Sequence, residues 1–322
     1  MNEPKRSTTR EGGAAALPGR LLLLLLLLCG AALRAGAPAA QAGAAATFPL
    51  AVTDDWGRRV VLPAPPQRIV SLAPSNTELL FALGLGPRVV GVTTWCNYPP
   101  EAQKREKVGD VRVNEEKVVA LRPDLVVADG NLQPEAARRL EALGLPVLVV
   151  APRDLAGVFR ALELLGRAGG REREARELAT HLRARVERVQ ARVEALKRGR
   201  HTPPLRVLVL VDPDHLYAAG PGTFLDELVR LAGGTNVAAQ AGVPWPQLSE
   251  EEIIRGDPEV ILVTGGSREA VLRRRSWRYL AAVRTGRIYE LDPDRFSRSG
   301  PRLVDALEEL VEVLYGREGG RK

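Results

Sequence analysis

From Phe48 onward the chain alternates short apolar runs with segments of helical period. The runs Arg68 to Leu72, Val89 to Val92, Leu125 to Ala128, Pro146 to Val150, Leu205 to Val211, Val260 to Thr264 and Arg287 to Leu291 are almost continuously apolar. Such runs read as strands buried on both faces, not as half-exposed strands with a polar side. Between them lie helices with start signals: Ser75-x-x-Glu78 as a capping box, Asn114 as an N-cap, Pro134 at a first turn, and Ser249 with Glu252 as a second box. Further helical segments are Thr223 to Leu231, Arg268 to Leu280 and Arg302 to Tyr315, and Phe48 to Leu62 reads as a hairpin turning at Asp55-Trp56-Gly57. Strand and helix in alternation predict α/β architecture with mostly parallel sheets.

Two parts of the pattern set the organisation. Asp154 to Lys197 is helical in pattern, broken only near Gly169-Gly170, and its second part is charged on most faces. A long polar helix of that kind bridges bodies rather than filling a core. On either side of it the chain writes one unit twice: NEEKVVALRPDLVVADG from Asn114 and SEEEIIRGDPEVILVTG from Ser249, 135 positions later. Each has a cap, two glutamates, a branched pair, Pro at the tenth place, an acid and an apolar run. Matched units predict two similar lobes; chance likeness of helix-turn-strand units is the alternative. The expected division is a leader at 1–46, an N-terminal lobe at 47–152, a bridging helix at 153–200 and a C-terminal lobe at 201–322.

Composition changes this picture mainly at the front. At 322 residues, 45% apolar and 26% charged, the chain has room for two ordinary domains. Its first 20 residues carry basic side chains, Leu21 to Leu28 is unbroken leucine, and small residues follow through Ala46. That is the pattern of a secretory leader, too short in its apolar part for a spanning helix. Cys29 directly follows the leucines, so lipid attachment there and cleavage after Ala40-Gln41-Ala42 both stand open. The leader takes with it five Lys/Arg and two Asp/Glu, which lowers the net charge from +7 to +4. The remaining basic residues, nearly all Arg, are scattered along acidic-basic helices, and no nucleic-acid motif accompanies them. Without Cys29, Cys96 has no partner for a disulfide.

Candidate chemistry falls in the loops after the strands, where open parallel sheets bind their ligands. Trp95 and Tyr98 follow one strand, Tyr217 another, Trp245 lies in GVPWPQ and Phe296 follows the last strand. Flat apolar side chains in that number suit a large planar ligand better than a bare ion. His215, in VDPDHLYAAG, is either an axial metal ligand or a plain loop histidine. No phosphate-binding loop, nucleophile elbow, dinucleotide fingerprint or metal-ligand spacing appears, so neither an enzyme, a resident cofactor nor a structural metal is expected. A metal-cluster scaffold would need clustered cysteines, and a structural module would not need the aromatics.

The segments RIVSLAPSNTELLFALG, VGVTTWCNYPPEAQ, VVALRPDLVVADG and GVPWPQLSEEEI resemble the metal-chelate (siderophore, haem, cobalamin) substrate-binding proteins of bacterial ABC importers. The resemblance runs from about Phe48 to Leu314, and NYPPEA with VPWPQ points to the cobalamin branch. It implies two Rossmann-like lobes with mostly parallel sheets bridged by a single long α-helix, and a monomer exported to the periplasm or the outer face of the cytoplasmic membrane. It further implies a corrinoid ligand and delivery to an ABC permease dimer with its ATPase, haem or a ferric siderophore being the alternative ligand. Tyr98, Tyr217 and Trp245 match aromatic positions around the ligand, Asp294 and Arg298 match polar ones, and Ser75 and Asn76 lie in the first binding loop. Glu116 and Glu251 match the family's permease-docking positions. The chain departs from the cobalamin pattern at Asp129, where that branch has Trp, and is one residue shorter between Gly109 and Asn114.

Overall fold

The computed structural model describes residues 47–200 and 203–316. The expected leader, with Cys29, lies outside the described residues. β1 (Leu50–Thr53) and β2 (Arg59–Leu62) form the antiparallel hairpin, whose turn is closed by Asp54 accepting from the backbone N–H groups of Trp56 and Arg58. The N-terminal lobe continues with β3 (Ile69–Ser71), α1 (Pro74–Ala82), β4 (Val89–Val92), β5 (Glu106–Lys107), α2 (Glu115–Ala120), β6 (Leu125–Ala128), α3 (Pro134–Ala142) and β7 (Val147–Val149). Its five strands lie in the order β5-β4-β3-β6-β7, all parallel. The strands are apolar because both faces are covered, as in β6, where all four residues are buried.

The segment 153–200, expected as the bridge, holds two helices, parted at the expected break. α4 (Leu155–Gly169) starts with Asp154 capping the Gly157 N–H and stops at Gly170, which takes a left-handed φ of 67°. α5 (Glu172–Arg200) then folds back along it. A Cβ on Gly166 would come within 2.3 Å of Ala175 Cβ, so only glycine lets the two helices approach this closely. α4 packs on α1 and β1 and belongs to the N-terminal lobe, which leaves α5 alone as the bridge. Its 29 residues span about 43 Å. Charged as it is, α5 buries a stripe of Ala175, Ala179, Leu182, Val189 and Val193, which is what anchors it to both lobes.

The C-terminal lobe comprises β8 (Arg206–Asp212), β9 (Tyr217–Ala218), α6 (Phe224–Leu231), β10 (Thr235–Asn236), α7 (Glu250–Gly256), β11 (Val260–Val263), α8 (Arg268–Leu272), α9 (Ala281–Arg284), β12 (Ile288–Glu290), α10 (Pro293–Phe296) and α11 (Leu303–Tyr315). The parallel order is β10-β8-β11-β12, and β9 adds antiparallel to β8. The helix expected over Arg268 to Leu280 is interrupted after Leu272. There Arg274 turns inward to donate to the carbonyls of Pro213 and Asp214, and Trp277 is fully buried in a 3-10 turn. The strands β5, β9 and β10 have two residues each, too short to show any period in sequence.

One apolar cluster runs from β3, β4 and α1 through α4 and α5 to β8, α6 and α11. The two lobes therefore share a core along the bridge, while the opposite face of each sheet has a cluster of its own.

Candidate functional site

Four exposed aromatic rings lie beyond the carboxyl ends of the parallel strands, three in loops and one, Tyr217, on the short β9. Trp95 is 60% exposed, Tyr98 42%, Tyr217 41% and Trp245 48%. Rings left this open cost about 25 cal/mol for each Å² of apolar surface in water, so they mark a place prepared for something else to cover. Cys96 explains how Trp95 is turned outward. Its thiol is buried between the hydroxyls of Thr77 and Thr93, each 3.1 Å away, and this pins the loop while its neighbour faces solvent. On the C-terminal lobe, Ala218 N–H donates to Pro246 and Gly220 N–H to Pro244, while Tyr217 bridges to Gln247. The VPWPQ loop, with Trp245 in it, is thus laced to β9, which carries Tyr217.

Three of the expected site residues are placed differently. Phe296 is 1% exposed and sits in the shared core, because the short helix α10 turns it inward against α11. Asn76 is fully buried and donates to the Val150 carbonyl just past the end of β7. Ser75 is buried as well, under the 298–302 segment of the other lobe. The expected capping box Ser75-x-x-Glu78 does not form: the N-cap is Ala73, with Pro74 in the first turn. Glu78 reaches across the lobe boundary instead.

That crossing was not legible in the sequence. The Glu78 carboxylate accepts from Arg302 at 2.6 and 2.9 Å through a two-pronged contact, and from Arg298 at 3.2 Å. Its side chain is 2% exposed. Arg298 also donates to Asp294 at 2.6 Å, to the Asn97 side chain at 2.7 Å and to the Trp95 carbonyl. Asn97 returns a bond to the second Asp294 oxygen at 2.6 Å. The Arg302 guanidinium lies 3.9 Å from the Tyr98 ring centroid, and its bonds to Glu78 hold its pKa above the ordinary value. Arg298 and Asp294, expected to face the ligand, are therefore occupied in joining the lobes. Two acids and two arginines balance in charge, which is what allows the group to be buried. A second tie runs the other way: Glu227 of the C-terminal lobe accepts from the Leu155 N–H at the start of α4, and burial pushes its carboxyl up.

His215 is exposed, with its Nδ1 2.8 Å from Asp212. Among the described residues no group of three or more His, Cys, Asp or Glu is arranged to hold a metal ion. Asp129, at the end of β6, is buried and accepts from the N–H groups of Asn131 and Leu132; burial raises its pKa. Two cavities, of about 620 and 470 Å³, lie elsewhere, one between β12 and α11 and one beside His215 and Ser249.

The two short helices sort their glutamates identically. In α2, Glu115 pairs with Arg139 at 2.6 Å; in α7, Glu250 pairs with Arg274 at 2.7 Å and with the Ser276 hydroxyl, which together hold Glu250 below the usual carboxylate range. Glu116 and Glu251 are exposed and make no hydrogen bond or ion pair among the described residues.

Two parallel-sheet lobes joined by one helix, with exposed aromatics at the strand ends, define a solute-binding architecture. A periplasmic binding protein family model matches residues 69–295, and the chain belongs to that family, which is one of solute-binding transport proteins and not of enzymes. It is 38% identical over 275 residues to an uncharacterized ABC transporter substrate-binding lipoprotein of Bacillus subtilis, covering 83% of this chain and 86% of that one. It is 32% identical over 252 residues to a vitamin B12-binding protein of Pectobacterium atrosepticum, covering 77% and 88%. Among solved structures, a periplasmic heme-binding protein from Roseiflexus sp. RS-1 in apo form superposes with a TM-score of 0.69 at 31% identity, over 77% of this chain and 98% of that one.

Proposed function

We propose that the protein captures a corrinoid, cobalamin in the first instance, between its lobes and delivers it to an ABC permease dimer driven by its ATPase. The observation that carries this reading is the set of four exposed rings, Trp95, Tyr98, Tyr217 and Trp245, at the strand ends of both lobes. Rings on two sides suit a broad, flat, partly apolar ligand. VPWPQ and NYPPEA, together with the vitamin B12-binding relative, favour a corrinoid. Haem is the second reading, favoured by the solved heme-binding structure and by His215, whose carboxylate-oriented ring leaves Nε2 available to a metal. The exposed, unpaired Glu116 and Glu251 are the proposed docking points. They carry matched aliphatic neighbours, Val119 at 42% and Ile254 at 44% exposed, so that each lobe offers one acid beside one apolar side chain. The protein works outside the cytoplasm as a monomer, and no helix among the described residues is long and apolar enough to cross a membrane.

Calorimetry with cyanocobalamin, haemin and a ferric hydroxamate tests the ligand. One cyanocobalamin per chain, bound at roughly −8 kcal/mol or tighter, is expected; binding of haemin alone replaces the corrinoid reading with haem. Trp245→Ala should weaken binding by about 1–3 kcal/mol. Tyr279→Ala, at an exposed ring away from the strand ends, should leave it unchanged.

A further inference from the structure

We infer that Glu78 is a positioning residue of the binding site: without touching the ligand, it holds the Tyr98 ring in place through Arg302 and the Trp95–Asn97 loop through Arg298. The inference rests on the reading that Tyr98 meets the ligand. Tyr98 lies on a loop of the N-terminal lobe, and nothing in its own lobe stacks on its ring among the contacts described. Its support is Arg302, at the start of α11 in the other lobe. A guanidinium on a long flexible side chain stacks in one place only when its N–H groups are fixed, and here the Glu78 fork fixes Nε and Nη2 together.

The rest of the cluster works in the same direction. Arg298 holds the loop at three points, the Trp95 carbonyl, the Asn97 side chain and, through Asp294, the Asn97 amide again. Gly300 lets the segment pass close: a Cβ there would come 3.3 Å from Glu78 Oε2 and 3.8 Å from the Ser75 carbonyl. Among the described residues, Glu78 is the one acid seen paired with both arginines, so it is the joint on which both supports depend. One wall of the site is in this way assembled from two lobes before any ligand arrives, which spares the ligand the cost of ordering it. Neutralising Glu78 leaves two arginines facing each other without their shared counter-charge, and Arg302 then loses its reason to lie over the ring.

The test is a pair of measurements on the mature chain carrying 3-fluorotyrosine. The Tyr98 resonance is assigned by its loss in Tyr98→Phe. Glu78→Gln is expected to shift or broaden that resonance and leave the Tyr217 resonance where it was. Arg302→Lys, which keeps the charge but loses the planar fork, is expected to do the same and guards against a Glu78 variant that fails to fold. In calorimetry with cyanocobalamin and haemin, Glu78→Gln should weaken whichever ligand binds by about tenfold, and by clearly less in a Tyr98→Ala background, where only the support of the Trp95–Asn97 loop is left to lose. An unmoved Tyr98 signal in both variants, or an equal loss of affinity in both backgrounds, overturns the assignment. If Tyr98→Ala alone leaves both affinities intact, the reading of Tyr98 as a ligand contact falls, and the fluorine signal still decides whether Glu78 positions the ring.

Discussion

Asn114 to Gly130 and Ser249 to Gly265 invite position-by-position comparison, because an offset of 135 aligns far more than their letters. Val118 and Ile253 are both fully buried; Arg122 and Asp257 both take left-handed backbone, at φ 46° and 36°, ahead of a proline. The strands β6 and β11 fall on matched residues. The likeness extends to partners outside the units. Arg68 donates to the Leu121 carbonyl at the C-cap of one helix and Arg206 to the matching Gly256 carbonyl of the other, while Asp124 and Glu259 accept from the N–H groups of those same arginines. Arg139 and Arg274 stand at the same offset and neutralise the same first glutamate. Chance likeness of two helix-turn-strand units does not produce matched tertiary contacts.

The differences begin where each unit meets its own surroundings. Arg139 is an exposed surface partner, whereas Arg274 is 21% exposed, binds two loop carbonyls and lies 5.2 Å from the Trp277 ring. Asn114 caps alone, whereas Ser249 and Glu252 cap reciprocally. At the strand end one unit has buried Asp129 and the other Thr264. The outer helix is kept alike, and the contacts below and beyond it diverge.

The largest expected effect tests the likeness itself. Glu116→Ala with Glu251→Ala should abolish delivery to a reconstituted permease while ligand affinity stays within about twofold, and the two single variants should lose equal shares of transport. Normal transport by the double variant would reduce both acids to helix-end charges. Next, Arg274→Ala should cost about 1–2 kcal/mol in urea unfolding and Arg139→Ala under about 1 kcal/mol, since only the former also loses two bonds to loop carbonyls and a contact with the buried Trp277 ring. Equal losses would erase the contrast drawn between the two partners. The caps come third: Asn114→Ala and Ser249→Ala should each cost about 1 kcal/mol, the latter more because its hydroxyl both accepts from the Glu252 N–H and donates to the Glu252 carboxylate.

The smallest effect is at Asp129. Its pKa is raised in the folded chain, so its contribution to stability is present below the ordinary carboxylate range and lost as pH rises through the raised value. Asp129→Asn retains an oxygen for the Asn131 and Leu132 N–H groups. The variant should therefore gain on the parent at pH 7, and the gain should shrink as pH falls toward 4. A gain that grows on acidification would reverse the sign of the burial effect.

Local chemistry determined much of this protein from sequence alone. Continuous apolar runs required strands covered on both faces, Asn114 and Ser249 started their helices, and the break at Gly169-Gly170 followed from a residue that tolerates positive φ. The repeat and the exposed aromatics of the strand-end loops were legible for the same reason, since each depends on neighbours a few positions away. What the tertiary structure alone decided lies in contacts between distant positions. Glu78 sits in a helix whose sequence reads as a capping box, yet its partners are 220 and 224 residues further on. Phe296 and Asn76 look like loop residues until packing turns them inward. Arg274 interrupts a helix its neighbours would continue, because two carbonyls across the fold claim its donors. Hydrogen bonds and burial of this kind carry no period in the chain; they exist only once two lobes and a bridge have been brought together.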